Sequence, residues 1–333
     1  MSQGGEGFGQ DAVLPPGFVG SSAVMRGVYE RIRLAARSQA PVFVTGRCGT
    51  GKELCARAIH LLSGRADAPF VRLNCATLAP DVIAAELFGQ PATAGALAMA
   101  QGGTLFLDEV GALGPGPQAM LLQVLQTGTI RPPGAEAPRS IDVRLICAGK
   151  EDLIAAVDTG AFRDDLYYRL HVIPVHLPPL ADRGTDAIEI AESALPRIAA
   201  EEARRFSGLD ASARALLPAL TLRGNVRELL NLLRQIVVMN DADRITAAMF
   251  PADLRAAAGA EGLTAPPPAQ GRHSSPLAPL LGRSLAEIER MVIEATIAEQ
   301  NGSVTRAARI LEVAPSTLYR KMESWSTPPR PVR

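Results

Sequence analysis

Val42-Phe-Val-Thr-Gly46-Arg-Cys-Gly49-Thr50-Gly51-Lys52-Glu53 is the stretch on which the reading of the fold turns. A short apolar run gives a buried strand, a glycine-spaced turn follows, and the residues from about Gly51 to Leu62 continue at helical periodicity. Strand, glycine loop and helix is the context that the G-x-x-x-x-G-K spacing of Gly46, Gly51 and Lys52 demands of a Walker A phosphate loop. Gly46, Gly49, Thr50 and Gly51 let backbone amides close around phosphate oxygens. The helix amino end adds partial positive charge, and the Lys52 ammonium meets the β and γ phosphates. Glu53 stands where most such loops carry Ser or Thr, so a magnesium ion needs another ligand, direct or through water. Lysine is scarce in this chain (Lys52, Lys150 and Lys321), so one lysine inside a glycine loop is not there for surface solvation.

Outward from the loop the pattern alternates. Upstream, Ser22 to Gln39 carries Val24, Met25, Val28, Ile32 and Ala35 at helical spacing before Pro41. Downstream come an apolar run Phe70 to Leu73, a helix around Ala79 to Phe88, a buried run Thr104 to Leu107, a helix Gly116 to Gln126 and a strand Val143 to Ala148. Strands alternating with helices imply a parallel α/β sheet covered on both faces. Gly102-Gly-Thr-Leu-Phe-Leu-Asp108-Glu109 is an apolar strand ending in two carboxylates, where a doubly wound sheet places its chemistry. It reads as a Walker B: Asp108 would hold magnesium through water, and Glu109 would orient or deprotonate an attacking water. From Asp186 to Leu254 no strand-like run is expected and apolar residues recur at helical intervals, which predicts an all-helical second unit. Ala256 to Ser284, with Pro266, Pro267 and Pro268 among Gly, Ala and Ser, reads as a linker.

The chain has 333 residues, 47% hydrophobic and 20% charged, with 34 basic side chains against 34 acidic ones. That length accommodates two or three folding units with a sizeable core. The charge balance excludes a chain-wide polyanion-binding surface, so any contact with nucleic acid is local. No run approaches the ~18 apolar residues of a spanning helix, and Met1 to Gln10 lacks a basic-then-apolar leader pattern; a cytoplasmic protein with no membrane contact is expected. Cys48, Cys55, Cys75 and Cys147 have no CxxC spacing and the histidines no metal-ligand spacing, so neither a zinc site nor a disulfide framework is supported.

Six ordered blocks carry a family resemblance: the loop through Leu54, Pro69-Phe-Val-Arg-Leu-Asn74-Cys75, Glu86-Leu-Phe-Gly89, Gly103 to Glu109, Phe162-Arg-Asp-Asp-Leu-Tyr-Tyr-Arg-Leu170, and Gly224-Asn-Val-Arg-Glu-Leu229. Over about Val19 to Leu254 the chain resembles the AAA+ ATPase domain of bacterial enhancer-binding proteins, the NtrC-like activators of sigma-54 RNA polymerase. The resemblance implies ATP and Mg2+ as cofactors and an AAA+ P-loop domain (19–184, after a flexible tail 1–18) with a helical lid (185–255). It matches Asn74 to a switch that restrains Glu109, and Arg163 and Arg169 to arginines reaching toward the γ phosphate of a neighbouring subunit, where a guanidinium offsets charge developing in phosphoryl transfer. Arg227 matches a sensor that reports nucleotide to the lid. A site completed by a neighbour implies a ring, usually a hexamer, with a dimer as the nucleotide-free alternative.

Departures from the family pattern matter as much. The family's Gly-Ala-Phe-Thr-Gly-Ala loop, which grips sigma-54, has no counterpart: only Gln90 to Gly102 lies between the Glu-Leu-Phe-Gly and Walker B blocks, too little chain for a projecting hairpin. Where relatives continue the Val143 strand with Ala-Thr-Asn, this chain reads Ala148-Gly149-Lys150. Hydrolysis is then slow, or ATP is held mainly as a structural and assembly ligand. With about eighteen residues ahead of the ATPase block, no receiver domain is expected.

Beyond the linker (256–283), Leu285 to Gln300, Val304 to Leu311 and Ala314 to Met322 read as helices, the last two joined by a tight turn, the geometry that seats a second helix in a major groove. Gly302 to Met322 holds Arg306, Arg309, Arg320 and Lys321 against Glu312 alone. Residues 284–325 resemble a Fis-type helix-turn-helix, in which Ser316, Thr317, Tyr319, Arg320 and Lys321 match phosphate or base contacts with double-stranded DNA; a short tail 326–333 follows. The expectation is therefore an ATP-binding, DNA-binding transcription regulator that acts on RNA polymerase without the sigma-54 loop, or a subunit that tunes a related AAA+ activator in mixed rings.

Overall fold

The computed structural model describes residues 15–77, 79–90, 93–130, 137–149, 153–259, 285–300, 303–311 and 313–326. The tail before residue 15, the linker from 260 to 283, the tail from 327, Glu312 and Lys150 lie outside them. Two units are distinct, residues 1–266 and 267–333.

In chain order the first unit begins α1 (Ala23–Arg37), β1 (Val42–Thr45), α2 (Lys52–Leu61), β2 (Phe70–Asn74), α3 (Pro80–Phe88), α4 (Ala96–Met99), β3 (Thr104–Asp108) and α5 (Pro115–Thr127). It continues with β4 (Thr129–Ile130), β5 (Arg139–Ser140), β6 (Arg144–Gly149), α6 (Leu153–Asp158), α7 (Asp164–Leu170) and β7 (Ile173–His176). The five-stranded sheet runs β2-β3-β6-β1-β7, with every pairing in it parallel. Because side chains alternate along a strand, the sheet feeds two cores. Phe43, Leu105, Leu107, Leu145 and Cys147 point to one face, under α3, α5 and α7. Val42, Val44, Phe106, Ile146 and Ala148 point to the other, against α1 and α2. Arg144, 1% exposed, sends its guanidinium to the Ala36 carbonyl at the end of α1 and to the Ala35 carbonyl, which also accepts from the Ser38 amide.

The expected alternation is present, with α4, α6, α7 and the antiparallel β4–β5 pair added to it and three further differences. β7 was not anticipated, since Pro174 interrupts the run; the strand lies at the sheet edge, where a missing N–H is tolerated. β3 and β6 each extend one residue beyond their apolar runs, so Asp108 is still in register opposite Asn74, and Gly149 opposite Thr45. The unit expected to be purely helical carries α8 (Asp186–Glu201), α9 (Ala211–Leu216), α10 (Asn225–Met239) and α11 (Ala252–Ala257), but also a parallel pair, β8 (Gly208–Leu209) and β9 (Arg244–Ile245). Two-residue strands give no periodicity to read. Ile190, Leu195, Leu216, Leu229, Leu233 and Phe250 anchor the lid core.

The second unit is α12 (Leu285–Glu299), α13 (Val304–Ile310) and α14 (Pro315–Ser326). Ile293, Ala307, Ala308 and Leu318 form its small core, and Trp325 packs against that core with the Arg290 guanidinium over its ring at 5.4 Å. Among the described residues no helix is long and apolar enough to cross a membrane.

Candidate functional site

At the carboxyl ends of β1, β2 and β3 a cavity of about 760 Å³ opens between the sheet and the lid. The β1–α2 turn forms its floor. Gly49 and Gly51 have φ of +77° and +103°, backbone that a β-carbon opposes, and a β-carbon on Gly49 would stand 2.0 Å from the Gly224 carbonyl oxygen of the lid. Lys52, 8% exposed, donates to the Gly46 carbonyl at 3.1 Å and lies 3.5 Å from the Glu109 carboxylate. Asp108 accepts from the Glu109 amide at 3.1 Å. Burial holds the Asp108 carboxyl above the usual carboxylate range, with Lys52 pulling the other way. Glu109 follows at φ +52°, a left-handed conformation for a non-glycine residue, which costs about 1–3 kcal/mol unless surrounding contacts fix it.

Gly49, Thr50, Gly51, Lys52, Glu53, Asn74, Asp108, Glu109 and Arg227 all line this one cavity, whereas Gly46 does not and meets it only through its carbonyl, which accepts from Lys52. Several are held in particular ways. Thr50 turns its hydroxyl to the Arg47 carbonyl at 2.9 Å, and Glu53 is tied to Arg72 at 2.6 Å. Asn74 accepts from the Ala76 amide at 2.9 Å rather than meeting Glu109. Arg227 donates to Cys48 Sγ at 3.3 Å. Phe18, Val19, Ile190, Ala194 and Leu230 add an apolar sleeve to the lining. Sequence reasoning missed that sleeve, because its residues come from segments remote in the chain and read singly as core. It also missed Arg183, 2% exposed, whose guanidinium meets the Thr50 and Pro178 carbonyls, and Asn225, 2% exposed, which meets Cys48. Asn225 stands inside the Gly224–Leu229 block, so its signal was on the page.

Residues 18–176 match the Sigma-54 interaction domain family, residues 181–265 the AAA+ ATPase lid domain, and residues 284–325 the bacterial regulatory protein, Fis family. The chain is 42% identical over 319 residues to the regulatory protein LuxO of Vibrio parahaemolyticus, covering 93% of this chain and 69% of that one. It is 36% identical to the regulatory protein AtoC of Escherichia coli, covering 94% and 68%. The chain belongs to the sigma-54-dependent transcriptional regulators. Among solved structures it resembles NtrX from Brucella abortus, crystallised in complex with ATP and with ADP, at 30% identity and a TM-score of 0.67 over 93% of this chain and 69% of that one.

Arg163 and Arg169 do not line the cavity. Arg163 caps α7, is exposed, and pairs with Asp165 at 2.7 Å. Gln118, 1% exposed, seats that segment by accepting from the Arg163 amide at 2.9 Å and donating to the Leu113 and Ala161 carbonyls. Arg169 lines a separate surface depression with Tyr168 and Val172. On α14, Ser316, Tyr319 and Arg320 are exposed and Thr317 half-buried, whereas Lys321 is drawn to Glu289 of α12 at 2.5 Å.

Gly149 ends β6 with a buried backbone, and a β-carbon there would come within 3.2 Å of the Phe43 ring. Between α3 and β3 the chain turns at once: the Gln90 and Thr93 amides and carbonyls exchange hydrogen bonds at 2.9 and 3.1 Å, and Gly89 and Gly95 approach so closely that a β-carbon on Gly95 would stand 2.3 Å from the Gly89 nitrogen. α4 then buries Ala96 and Leu97 in the sheet's core, joined by Ala100 just after it.

Proposed function

We propose that this regulator binds ATP with Mg2+, hydrolyses it at sites shared between copies, and binds double-stranded DNA, but does not itself drive sigma-54 polymerase to open a promoter. The observation that carries the reading is the contrast just described: a cavity lined by the phosphate loop, Asp108, Glu109 and Arg227, beside a segment whose α4 packs into the core where the family's sigma-54 loop would project. The carboxylate oxygens of Asp108 and Glu109 are hard donors suited to magnesium. Among the described residues no three His, Cys, Asp or Glu converge, so the ion would rest on Asp108, through water, and on the phosphates themselves. Magnesium bound there would neutralise charge on the phosphate oxygens. Glu109 orients and deprotonates the attacking water, Lys52 bridges the outer phosphates, Asn74 restrains Glu109 until the nucleotide state changes, and Arg227 reports the nucleotide to the lid. Arg163 and Arg169, exposed and outside their own cavity, serve a neighbour's, in a ring of like copies.

The outward-facing arginines also favour a second reading, in which the chain joins mixed rings with a loop-bearing relative and tunes it. Transcription with purified protein and each polymerase holoenzyme separates the two. A promoter footprint and altered transcription without any other activator support the first; an effect seen only with the relative present supports the second.

A further inference from the structure

Six successive carbonyls of the phosphate loop each have a named donor. Gly46 O accepts from Lys52 Nζ at 3.1 Å, Arg47 O from the Thr50 hydroxyl at 2.9 Å, and Gly51 O from the Cys55 amide at 2.9 Å. The middle three are held from outside the loop. Cys48 O accepts from Asn225 Nδ2 at 2.8 Å, Gly49 O from the Val226 amide at 3.1 Å, and Thr50 O from Arg183 Nη2 at 2.7 Å. Asn225 and Val226 open lid helix α10, and Arg183 lies in the Leu180–Arg183 turn that leads into the lid.

The polarity of these contacts is fixed. The Asn225 Oδ1 accepts from the Leu180 amide at 2.8 Å, and an N–H can only donate, so the Asn225 Nδ2 must face the Cys48 carbonyl. Asn225 sits at φ +52°, which asparagine tolerates better than most residues, and Val226 spends one of the amides that a helix start leaves unpaired. Arg183 also meets the Pro178 carbonyl at 2.9 and 3.1 Å, so one buried guanidinium joins hinge to loop.

A trans peptide points its carbonyl and the following amide in opposite directions. Turning the Cys48 and Thr50 carbonyls toward lid and hinge therefore aims the Gly49 and Gly51 amides the other way. Both glycines line the cavity. The Thr50 amide lies 3.4 Å from the Arg47 carbonyl, closing a long turn bond, so the clamp acts on its two neighbours.

We propose that Asn225 and Arg183 are positioning residues of the phosphate site: holding two loop carbonyls from the lid side, they preset the amides that grip the polyphosphate. Phosphate binding and lid seating are then coupled in both directions through the loop backbone, although Arg183 also lines the cavity. The proposal rests on the nucleotide reading given above.

The test is the affinity of the full chain for ADP and for adenosine, measured by competition against a fluorescent ADP, in wild type and in Asn225→Gly. Glycine accepts the positive φ and adds no charge. Expected is an affinity for ADP lower by about tenfold, the equivalent of one hydrogen bond of about 1.4 kcal/mol, with adenosine changed by less than about twofold. An equal loss for both ligands would mean that Asn225 merely holds the fold together, and unchanged ADP binding would mean that the loop sets itself; either result overturns the clamp. Should Asn225→Gly fail to fold by circular dichroism, Arg183→Lys, which keeps the buried charge and one donor, carries the same comparison with the same deciding outcomes. Wild-type protein that takes up neither ADP nor ATP removes the nucleotide reading itself, whereas wild type that binds beside a variant that binds ADP equally well removes the clamp alone.

Discussion

The phosphate loop and the Gln90–Gly102 segment are two short, glycine-containing connections in one α/β layer, and they have gone opposite ways. The loop is open to a cavity, and its backbone is held in place by the sheet, the hinge and the lid. The other segment closes on itself through Gln90 and Thr93, seals Gly89 against Gly95, and hides Leu97 at 1% exposure. On the reading proposed above, the difference separates the parts that would sense and cleave a triphosphate, which open onto a cavity, from the segment that would have to push outward, which is packed into the sheet's core.

The largest effect that would break the comparison lies at the subunit boundary. Arg163→Ala or Arg169→Ala is expected to lower ATP turnover by about a thousandfold, as for an arginine finger, while affinity for ATP stays within a few-fold. Mixing either with Glu109→Gln, itself expected to bind ATP and hydrolyse it about a hundredfold more slowly, should restore part of the turnover. Restored turnover measured by phosphate release shows the site to be shared; mixtures as inactive as their parts would place the arginines elsewhere. Next, Lys52→Ala is expected to weaken ATP binding by at least about a hundredfold by titration calorimetry, because the cation nearest the outer phosphates is lost. Unchanged affinity would contradict the assignment of the loop.

The other region answers in stability. Leu97→Asp places a carboxylate in the sheet's core and is expected to cost about 3 kcal/mol in a urea titration, with the loss spread over the ATPase unit. A neutral result would mean that α4 hangs free, as a working lever would. The smallest effect is at Asp108, whose carboxyl burial pushes above the usual carboxylate range, with Lys52 opposing it. A raised folded pKa means that this group favours the folded state at low pH and loses that contribution as pH rises. Asp108→Asn should therefore melt a few degrees above wild type near pH 8, with the gap narrowing toward about pH 4. A gap that widens on acidification would reverse the sign of the environment assigned to Asp108.

Much of this was legible in the chain itself, and what was not has physical reasons. Val42–Thr45, Thr104–Asp108 and the glycine loop announce themselves because strand burial and loop chemistry are local. Asp108 and Glu109 stand out for the same reason, at the end of an apolar run, whereas Asn74 is singled out only by the family resemblance of its block. β7 hid behind Pro174, and β8 and β9 are too short for any period. Arg183 and Asn225 read as ordinary polar residues because their task is set by carbonyls more than a hundred residues away. The Glu109 backbone conformation, and the pairing of Lys321 with Glu289, likewise exist only once the fold has brought their surroundings together.

The most direct trial is permanganate footprinting of a sigma-54 closed promoter complex to which this protein and ATP are added, with phosphate release followed in the same tube. Phosphate released while the promoter stays closed is the expected result. A melted promoter with this protein as the sole activator would contradict it.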